Sequence, residues 1–339
     1  MRVLVGLCLV AAACVAPPAP ATPSSIARLE RIQSRGALGC GIEADVPGFA
    51  ERDSQGRYRG MDIDVCRALS AAIFGTPDKV HYLPAPSVEG FLRDDSVDVI
   101  ARRITWELKR EGSFGLLFGP TIFHDGQSFL VPKGTTARQL AGTTICVAGG
   151  TVFEANLNAY AASRSLAFDT VVVASPHGYD EIAGMLAAGD CRAYSGDVSD
   201  LGAIRSKLPA PADFDILDEM FSKEPLALLV RQTDGQFFTV VRWTIFALIA
   251  AEEFGVTSAN IDEMRGRGNL DVRRLLGVQP GNGKALGLSE EWAAHAIKAV
   301  GNYGEMFERN VGTGSAIKLN RGANRLFKDG GLMFAPPLR

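Results

Sequence analysis

The sequence alternates strand-like and helix-like segments in two separate runs, and each run contains one pair of cysteines. In the first run, Val65, Cys66, Leu69 and Ile73 recur at helical spacing and predict a helix over 61–75. A strand followed by a helix and a further strand is typical of a parallel sheet with helices on its faces. Two such runs therefore predict two α/β lobes.

The remaining predicted elements follow the same alternation until a helical C-terminal part. The predicted strands are 37–44, 79–83, 96–101, 127–132, 143–149, 168–175, 192–197 and 225–231, and the predicted helices are 151–163, 179–189, 237–255 and 288–312. The segment 237–255 is strongly apolar but contains Arg242 and ends in Glu252-Glu253. We interpret it as a core helix and not as a membrane span.

The N-terminal residues have the pattern of an export signal. One Arg precedes an apolar run that is too short to span a bilayer, and Ala19-Pro20-Ala21 fits a small-x-small cleavage site that makes 1–21 a signal peptide. The alternative is a degenerate lipobox, Ala11-Ala12-Ala13, which would leave a lipid anchor at Cys14. Both interpretations predict an oxidising compartment outside the cytoplasm.

Four cysteines remain beyond this leader: Cys40, Cys66, Cys146 and Cys191. An even number in an exported protein predicts two disulfides, and three pairings are possible, of which Cys40–Cys66 with Cys146–Cys191 is the local one. We expect no metal and no cofactor, because no cysteine pair has CxxC spacing and the histidines are scattered. The formal net charge of −3 argues against a nucleic-acid partner.

Polar groups follow three predicted strands. Thr105 and Arg110 come after the strand 96–101, and a guanidinium matches a carboxylate bidentately. Gly149-Gly150 precede Thr151 at a helix start, which offers free N–H groups to an anion. Asp197 follows a strand and can meet a cation, or can cap the next helix. Taken singly, these patterns also fit a surface Arg, a capped turn and a helix cap. Together they complement an α-amino acid zwitterion.

The chain resembles the general L-amino-acid-binding proteins of bacterial ABC importers, in the polar-amino-acid solute-binding family. The similar stretches extend from about residue 26 to residue 339 and include "ITWELKREGSFGLLFGPTIFHDGQSFLVP" and the C-terminal "RGANRLFKDGGLMFAPPLR". The resemblance implies a type II periplasmic-binding-protein fold and the two local disulfides. It also implies lobe one over 26–125 plus 224–339, with a C-terminal helical extension. Lobe two is then 126–223, and a two-strand hinge lies near 123–128 and 222–227.

By position, the resemblance makes Thr105, Arg110 and Thr151 the ligands of the amino acid's carboxylate and Asp197 the partner of its ammonium group. Trp106 is expected to pack beside this clamp and not to touch the ligand.

The chain departs from the subgroup around these anchors. Where the subgroup usually has Arg-Asn-Thr-Thr-Trp, this chain has "RRITW", and "AGGTVF" replaces Gln-Ser-Gly-Thr-Thr-Thr. Glu43 stands near an expected Asn. We therefore add Glu43, Arg103 and Gly149 to the predicted ligand-binding residues. If Glu43 and Arg103 pair, as we expect, the wall is neutral and favours large uncharged side chains. If Glu43 stands alone, it favours basic ones.

The resemblance thus predicts an extracytoplasmic solute-binding protein, monomeric and without catalytic residues, that delivers an amino acid to a membrane ABC permease. Two alternatives remain open at this point. One is an exported enzyme of cyclohexadienyl-dehydratase type on the same fold, with Glu43 or Glu107 as its acid. The other is a ligand sensor that serves a receptor.

Overall fold

The computed structural model describes residues 27–84, 87–174 and 178–339. The predicted signal peptide 1–21 and the alternative anchor at Cys14 lie outside the described residues. The helices are α1 Arg28–Arg35, α2 Met61–Phe74, α3 Val88–Arg93, α4 Leu108–Phe114, α5 Val152–Arg164, α6 Tyr179–Ala188, α7 Val198–Lys207, α8 Gly235–Glu253, α9 Ile261–Arg267, α10 Leu270–Leu275, α11 Asn282–Leu286, α12 Trp292–Val300 and α13 Tyr303–Asn310. Short 3-10 turns lie at Ala137–Leu140, Pro211–Asp213, Gly322–Asn324 and Phe327–Asp329.

Twelve strands form two five-stranded sheets and one small hairpin in the described part of the chain. The strands are β1 Leu38–Ile42, β2 Glu51–Arg52, β3 Tyr58–Arg59, β4 Val80–Pro84, β5 Val99–Thr105, β6 Leu116–Asp125, β7 Gln127–Pro132, β8 Thr144–Ala148, β9 Asp169–Val173, β10 Ala193–Asp197, β11 Phe214–Ile216 and β12 Glu224–Arg231. The order is β4-β1-β5-β12-β6 in the first sheet and β11-β7-β10-β8-β9 in the second. This architecture confirms the predicted two-lobed α/β fold, whereas the lobe boundaries stay a prediction.

Both sheets are mixed, which corrects the prediction of parallel sheets. Strand β1 is parallel to β4 and β5, and β8 is parallel to β9 and β10, as helical crossovers require. Strand β12 instead runs antiparallel to β5 and β6, and β7 runs antiparallel to β10. The chain passes from the first sheet to the second directly from β6 to β7, and it returns to the first sheet from β11 to β12. Neither passage contains a crossover helix.

The predicted long helix 288–312 is two helices in the structure. Helix α12 ends at Val300, and the φ of 86° at the following Gly301 is a left-handed backbone that favours glycine. Asn302 then begins α13 with a capping box, in which its side chain accepts from the Glu305 N–H and the Glu305 carboxylate accepts from the Asn302 N–H. The apolar period continues across this break because both helices pack on the same core.

Helix α8 confirms the predicted core helix. Val240, Val241 and Ala247 are fully buried, and the helix packs against β6, α2 and α12. Among residues 27–84, 87–174 and 178–339, none of the helices has both the length and the apolar content that crossing a membrane requires.

Each lobe contains one disulfide, and both follow the local pairing that the resemblance implied. Cys40 of β1 bonds Cys66 of α2, and Cys146 of β8 bonds Cys191, two residues before β10. Each bond therefore ties a strand to an element packed on or beside the same sheet. Neither bond links the two lobes, so neither restrains the movement of one lobe relative to the other.

Peptide mapping under non-reducing conditions should recover these two links, with sequence separations of 26 and 45 residues. On an entropic model, such loops stabilise the fold by about 3.5 and 4 kcal/mol. Replacing either pair by serines should therefore lower the midpoint of urea unfolding. Four free thiols, or a link between the lobes, would contradict the assignment.

Candidate functional site

A cleft of about 790 Å³ lies between the two lobes, and most of its lining side chains are polar or charged. Its position is where α/β sheets offer binding sites, at strand ends and at the junction of two lobes. The lining residues are Glu43, Val88, Arg102, Arg103, Ile104, Thr105, Trp106, Glu107, Arg110, Gly150, Thr151, Val152, Phe153, Asn156, Asp197, Asp200, Ser222, Lys223 and Glu224.

Thr105 and Arg110 lie on the first-lobe wall of this cleft. Strand β5 continues through Thr105, four residues beyond the predicted end, because β12 pairs with it there in antiparallel register. The Thr105 hydroxyl donates to Glu224 Oε2 at 2.8 Å, and Arg110 Nη1 donates to the Thr105 carbonyl at 3.0 Å. Arg110 Nε lies 3.2 Å from Glu107 Oε1, and the Arg110 side chain is 37% exposed. Its guanidinium is thus accessible from the cleft.

Thr151 lies on the second-lobe wall, at the start of α5. Its hydroxyl donates to the Ala148 carbonyl at 2.8 Å and accepts from the Phe153 N–H at 3.2 Å. The adjacent glycine that lines the cleft is Gly150, with a φ of 70°, and the role of Gly149 in ligand binding stays a prediction. A Cβ on Gly149 would lie 2.4 Å from Val172 Cγ1, so this glycine permits the close approach of β9.

Asp197 ends β10 and immediately precedes α7. It occupies the N-cap position, but its side chain makes no capping hydrogen bond. Among the described residues, its Oδ1 is enclosed without a hydrogen-bond partner. Burial, together with the negative charges of Asp125, Asp200 and Glu224, raises the pKa of Asp197 well above its usual range, although Arg103 acts in the opposite direction. Helix capping therefore does not account for this carboxylate.

Two further carboxylates lie close enough to Asp197 for their charges to act on it, and neither was predicted as a site residue. Asp125 is buried at the end of β6, and its Oδ1 accepts from the N–H groups of Gly126 and Ser199 at 3.0 and 3.2 Å. Burial raises the pKa of Asp125 to about 6. Asp200 lies one helical turn after Asp197 on α7. This i, i+3 spacing was the sequence signal that could have indicated it.

The expected pair of Glu43 with Arg103 is wrong. Glu43 Oε2 lies 3.3 Å from Arg102 Nη2 within the first lobe. Arg103 instead reaches across the cleft, where its Nη1 lies 2.7 Å from Asp200 Oδ1. Arg103 has a φ of 52°, and this left-handed backbone interrupts the alternation of side chains along β5. The charge of Glu43 is nonetheless compensated, by Arg102, which precedes Arg103 on β5.

Trp106 lies at the exposed part of the cleft. Its indole stacks on Phe118 with ring centroids 6.1 Å apart, and its Nε1 donates to Glu111 Oε2 at 2.8 Å. The ring is thereby held in place while 42% of the residue remains exposed. Val152 faces the same cleft from α5 and is 60% exposed. That Trp106 packs beside the clamp without touching the ligand stays a prediction.

Two α/β lobes around a charged cleft define a class of solute-binding proteins, and the comparison with known proteins agrees. The chain belongs to the bacterial extracellular solute-binding proteins, family 3, whose match covers residues 38–328.

Its relatives include the general L-amino acid-binding periplasmic protein AapJ of Rhizobium johnstonii. The two are 42% identical over 326 residues, which are 94% of this chain and 95% of the relative. The glutamate/glutamine/aspartate/asparagine-binding protein BztA of Rhodobacter capsulatus is 41% identical over 324 residues, 93% of this chain and 94% of the relative. The predicted resemblance is thus confirmed.

A similar solved structure is a periplasmic binding protein of an ABC transporter from Brucella ovis with glutathione bound. It is 40% identical, has a TM-score of 0.82, and the match covers 93% of this chain and 100% of that one. The type II fold of this chain is therefore established by a close structural relative as well as by its family.

Replacing Asp197 by Asn should stabilise the ligand-free protein, and the gain should grow with pH. Because the pKa of Asp197 is raised in the native state, its carboxyl group loses the proton at a lower pH in the unfolded chain, from about pH 4 upwards. Above that pH, deprotonation stabilises the unfolded chain relative to the native state, and folding becomes less favourable. Thermal melts should therefore show a higher Tm for the variant at pH 8, by a few degrees, and little difference at pH 4. Asp169→Asn, an exposed carboxylate on β9, is the control. Equal Tm values at pH 8 would contradict the burial argument.

Proposed function

We propose that this chain binds an amino acid in the cleft between its lobes, outside the cytoplasm, and delivers it to the permease of an ABC transporter. The observation that carries this proposal is that one cleft joins groups of opposite charge from both lobes. Thr105 and Arg110 come from the first lobe, and Thr151 and Asp197 come from the second. The names of the relatives AapJ and BztA support the same ligand class.

The chemistry of the two ends fits a zwitterion. An ionised carboxylate can accept from the Arg110 guanidinium, and the N–H groups at the start of α5 favour a negative charge. An ammonium group can donate to the enclosed Asp197 Oδ1, which has no partner among the described residues. Because the two ends belong to different lobes, one ligand bridges them and favours the closed arrangement.

The paired state of the candidate acids argues against the enzyme alternative. Glu43 lies against Arg102, and Glu107 lies against Arg110, so each carboxylate already faces a guanidinium. A general acid has to reach the leaving group of a substrate, whereas these two carboxylates are held against guanidinium groups of the protein. The family and the named relatives are binding proteins.

A second candidate ligand class is a small γ-glutamyl peptide. The Brucella ovis relative holds glutathione, whose γ-glutamyl end carries the same free ammonium and carboxylate as an amino acid. The cleft of about 790 Å³ is within the size range of sites for ligands larger than one amino acid. Val152 and Asn156 of α5 would then face the rest of the peptide.

A thermal-shift screen of ligand-stripped protein should separate these candidates. It would compare the twenty amino acids with glutathione and γ-glutamylcysteine, because a ligand that binds only the folded state raises its Tm. We expect at least one amino acid to raise the Tm. A shift with glutathione alone would replace the amino-acid proposal by the peptide one, and no shift with any compound would contradict both.

Arg110→Ala and Asp197→Ala should each weaken binding by about 100-fold or more, because each variant leaves the opposite charge of the ligand buried and unpaired. Isothermal calorimetry with the ligand found in the screen would measure the loss. Arg267→Ala is the matched control, because its exposed ion pair with Glu263 lies on α9. A variant within about threefold of wild type would exclude its residue as an anchor.

Binding should also release protons. Ligand-free Asp197 holds its proton to a higher pH than an ordinary carboxyl does, and an incoming ammonium group favours the ionised form. Affinity should therefore rise from pH 5 towards pH 8, by about tenfold per pH unit at most. Calorimetry in two buffers of different ionisation enthalpy counts the protons. An affinity independent of pH across this range would show that Asp197 does not meet the ammonium group.

A further inference from the structure

Arg103 makes a buried ion pair that spans the cleft. It belongs to β5 of the first lobe, and its side chain is only 8% exposed. Its Nη1 donates to Asp200 Oδ1 at 2.7 Å and to Ser199 Oγ at 3.3 Å, both on α7 of the second lobe. Its Nη2 donates to the Tyr179 hydroxyl at 3.4 Å, and that hydroxyl donates to Asp200 Oδ1 at 2.9 Å. The guanidinium is thus enclosed by second-lobe groups.

The same guanidinium faces the acidic end of the candidate site. Asp197 and Asp200 both line the cleft, and Asp125 and Glu224 add their negative charges to the field at Asp197. Arg103 acts on Asp197 with the opposite sign. The Arg103 guanidinium therefore already occupies the position in which a cationic side chain of a ligand would meet these carboxylates.

We propose that Arg103 is an internal cation that determines specificity, so that the cleft admits amino acids with neutral or acidic side chains and excludes those with cationic ones. The inference rests on the proposed function, because it requires an amino acid whose α-ammonium group meets Asp197.

A ligand with a cationic side chain has two routes, and both are unfavourable. It can place its second charge beside Arg103, where two like charges repel each other in a poorly hydrated site. It can instead displace Arg103 from Asp200, which breaks a buried ion pair and leaves the guanidinium without its partner. A neutral side chain avoids both, and an acidic side chain is attracted by the guanidinium.

Removing Arg103 reverses this preference. In Arg103→Asn, the charge of Asp200 has no guanidinium beside it, and a cationic ligand can compensate it. Asn is a suitable replacement, because it tolerates the left-handed φ of 52° better than most residues do. The double variant Arg103→Asn/Asp200→Asn removes both charges and should return the preference towards that of wild type.

Calorimetry on the mature, ligand-stripped protein would compare glutamine, glutamate and lysine. We expect wild type to bind glutamine or glutamate at least about tenfold more tightly than lysine. In Arg103→Asn, the ratio of lysine affinity to glutamine affinity should rise by at least about tenfold. The double variant should cancel most of that rise.

Asp200→Asn provides an independent test if Arg103→Asn does not fold. It leaves the Arg103 guanidinium without its carboxylate, so the ratio of glutamate affinity to glutamine affinity should rise by at least about tenfold. An unchanged ratio would overturn the assignment of Arg103.

The outcomes separate the two levels of inference. If wild type binds none of the amino acids, the proposed function fails. If it binds lysine as tightly as glutamine and glutamate, or if Arg103→Asn keeps the wild-type ratio of lysine to glutamine, the proposed function stands and the role of Arg103 is overturned.

Discussion

The backbone crossing at Asp125, Gly126 and Gln127 is the constraint on which the arrangement of the site depends. Asp125 Oδ1 accepts from the Ser199 N–H and thereby fixes the start of α7. Two residues later, Gln127 Nε2 donates to the Phe153 carbonyl, at the start of α5, and to Ser195 Oγ on β10, both at 2.9 Å. Asp125 and Gln127 of this crossing thus hold the starts of α5 and α7, the second-lobe helices at the cleft. Small rotations at this crossing would move the second-lobe groups together relative to the first lobe.

The carboxylates of the cleft differ from the buried charges that serve only the fold. Arg28 is buried, and its guanidinium lies 3.3 Å from Asp98 and 3.1 Å from Asp234, so this network compensates its charges internally. In contrast, Asp125 Oδ2 and Asp197 Oδ1 are both enclosed without a partner among the described residues. Unpaired buried carboxyl groups destabilise a fold. Under the proposed function, the ammonium group of a ligand would compensate the charge of Asp197, which lines the cleft.

The sequence predicted most elements because their patterns are local. Strand β7 has the predicted bounds, and α2 ends one residue before its predicted end. Both sets of bounds follow from the apolar period and from a flanking glycine, which are local features of the sequence. The strand-end argument also placed Thr151 and Asp197 on one cleft, since strand ends meet at the same edge of a sheet. It could not predict that β12 returns antiparallel, because that pairing joins residues more than a hundred positions apart.

Side-chain partners were the least predictable feature, and the reason is geometric. The sequence indicated that Glu43 needed a compensating Arg, but two arginines follow each other on β5, and the left-handed backbone of Arg103 breaks the regular alternation of side chains that would have predicted their directions. Arg102 meets Glu43, and Arg103, with its left-handed backbone, meets Asp200 in the other lobe. Both pairs are internally compensated. Arg110 differs from them, because its pair with Glu107 is partly exposed and therefore weak. A ligand carboxylate can replace Glu107 there at little cost, whereas displacing Arg103 would break a buried pair.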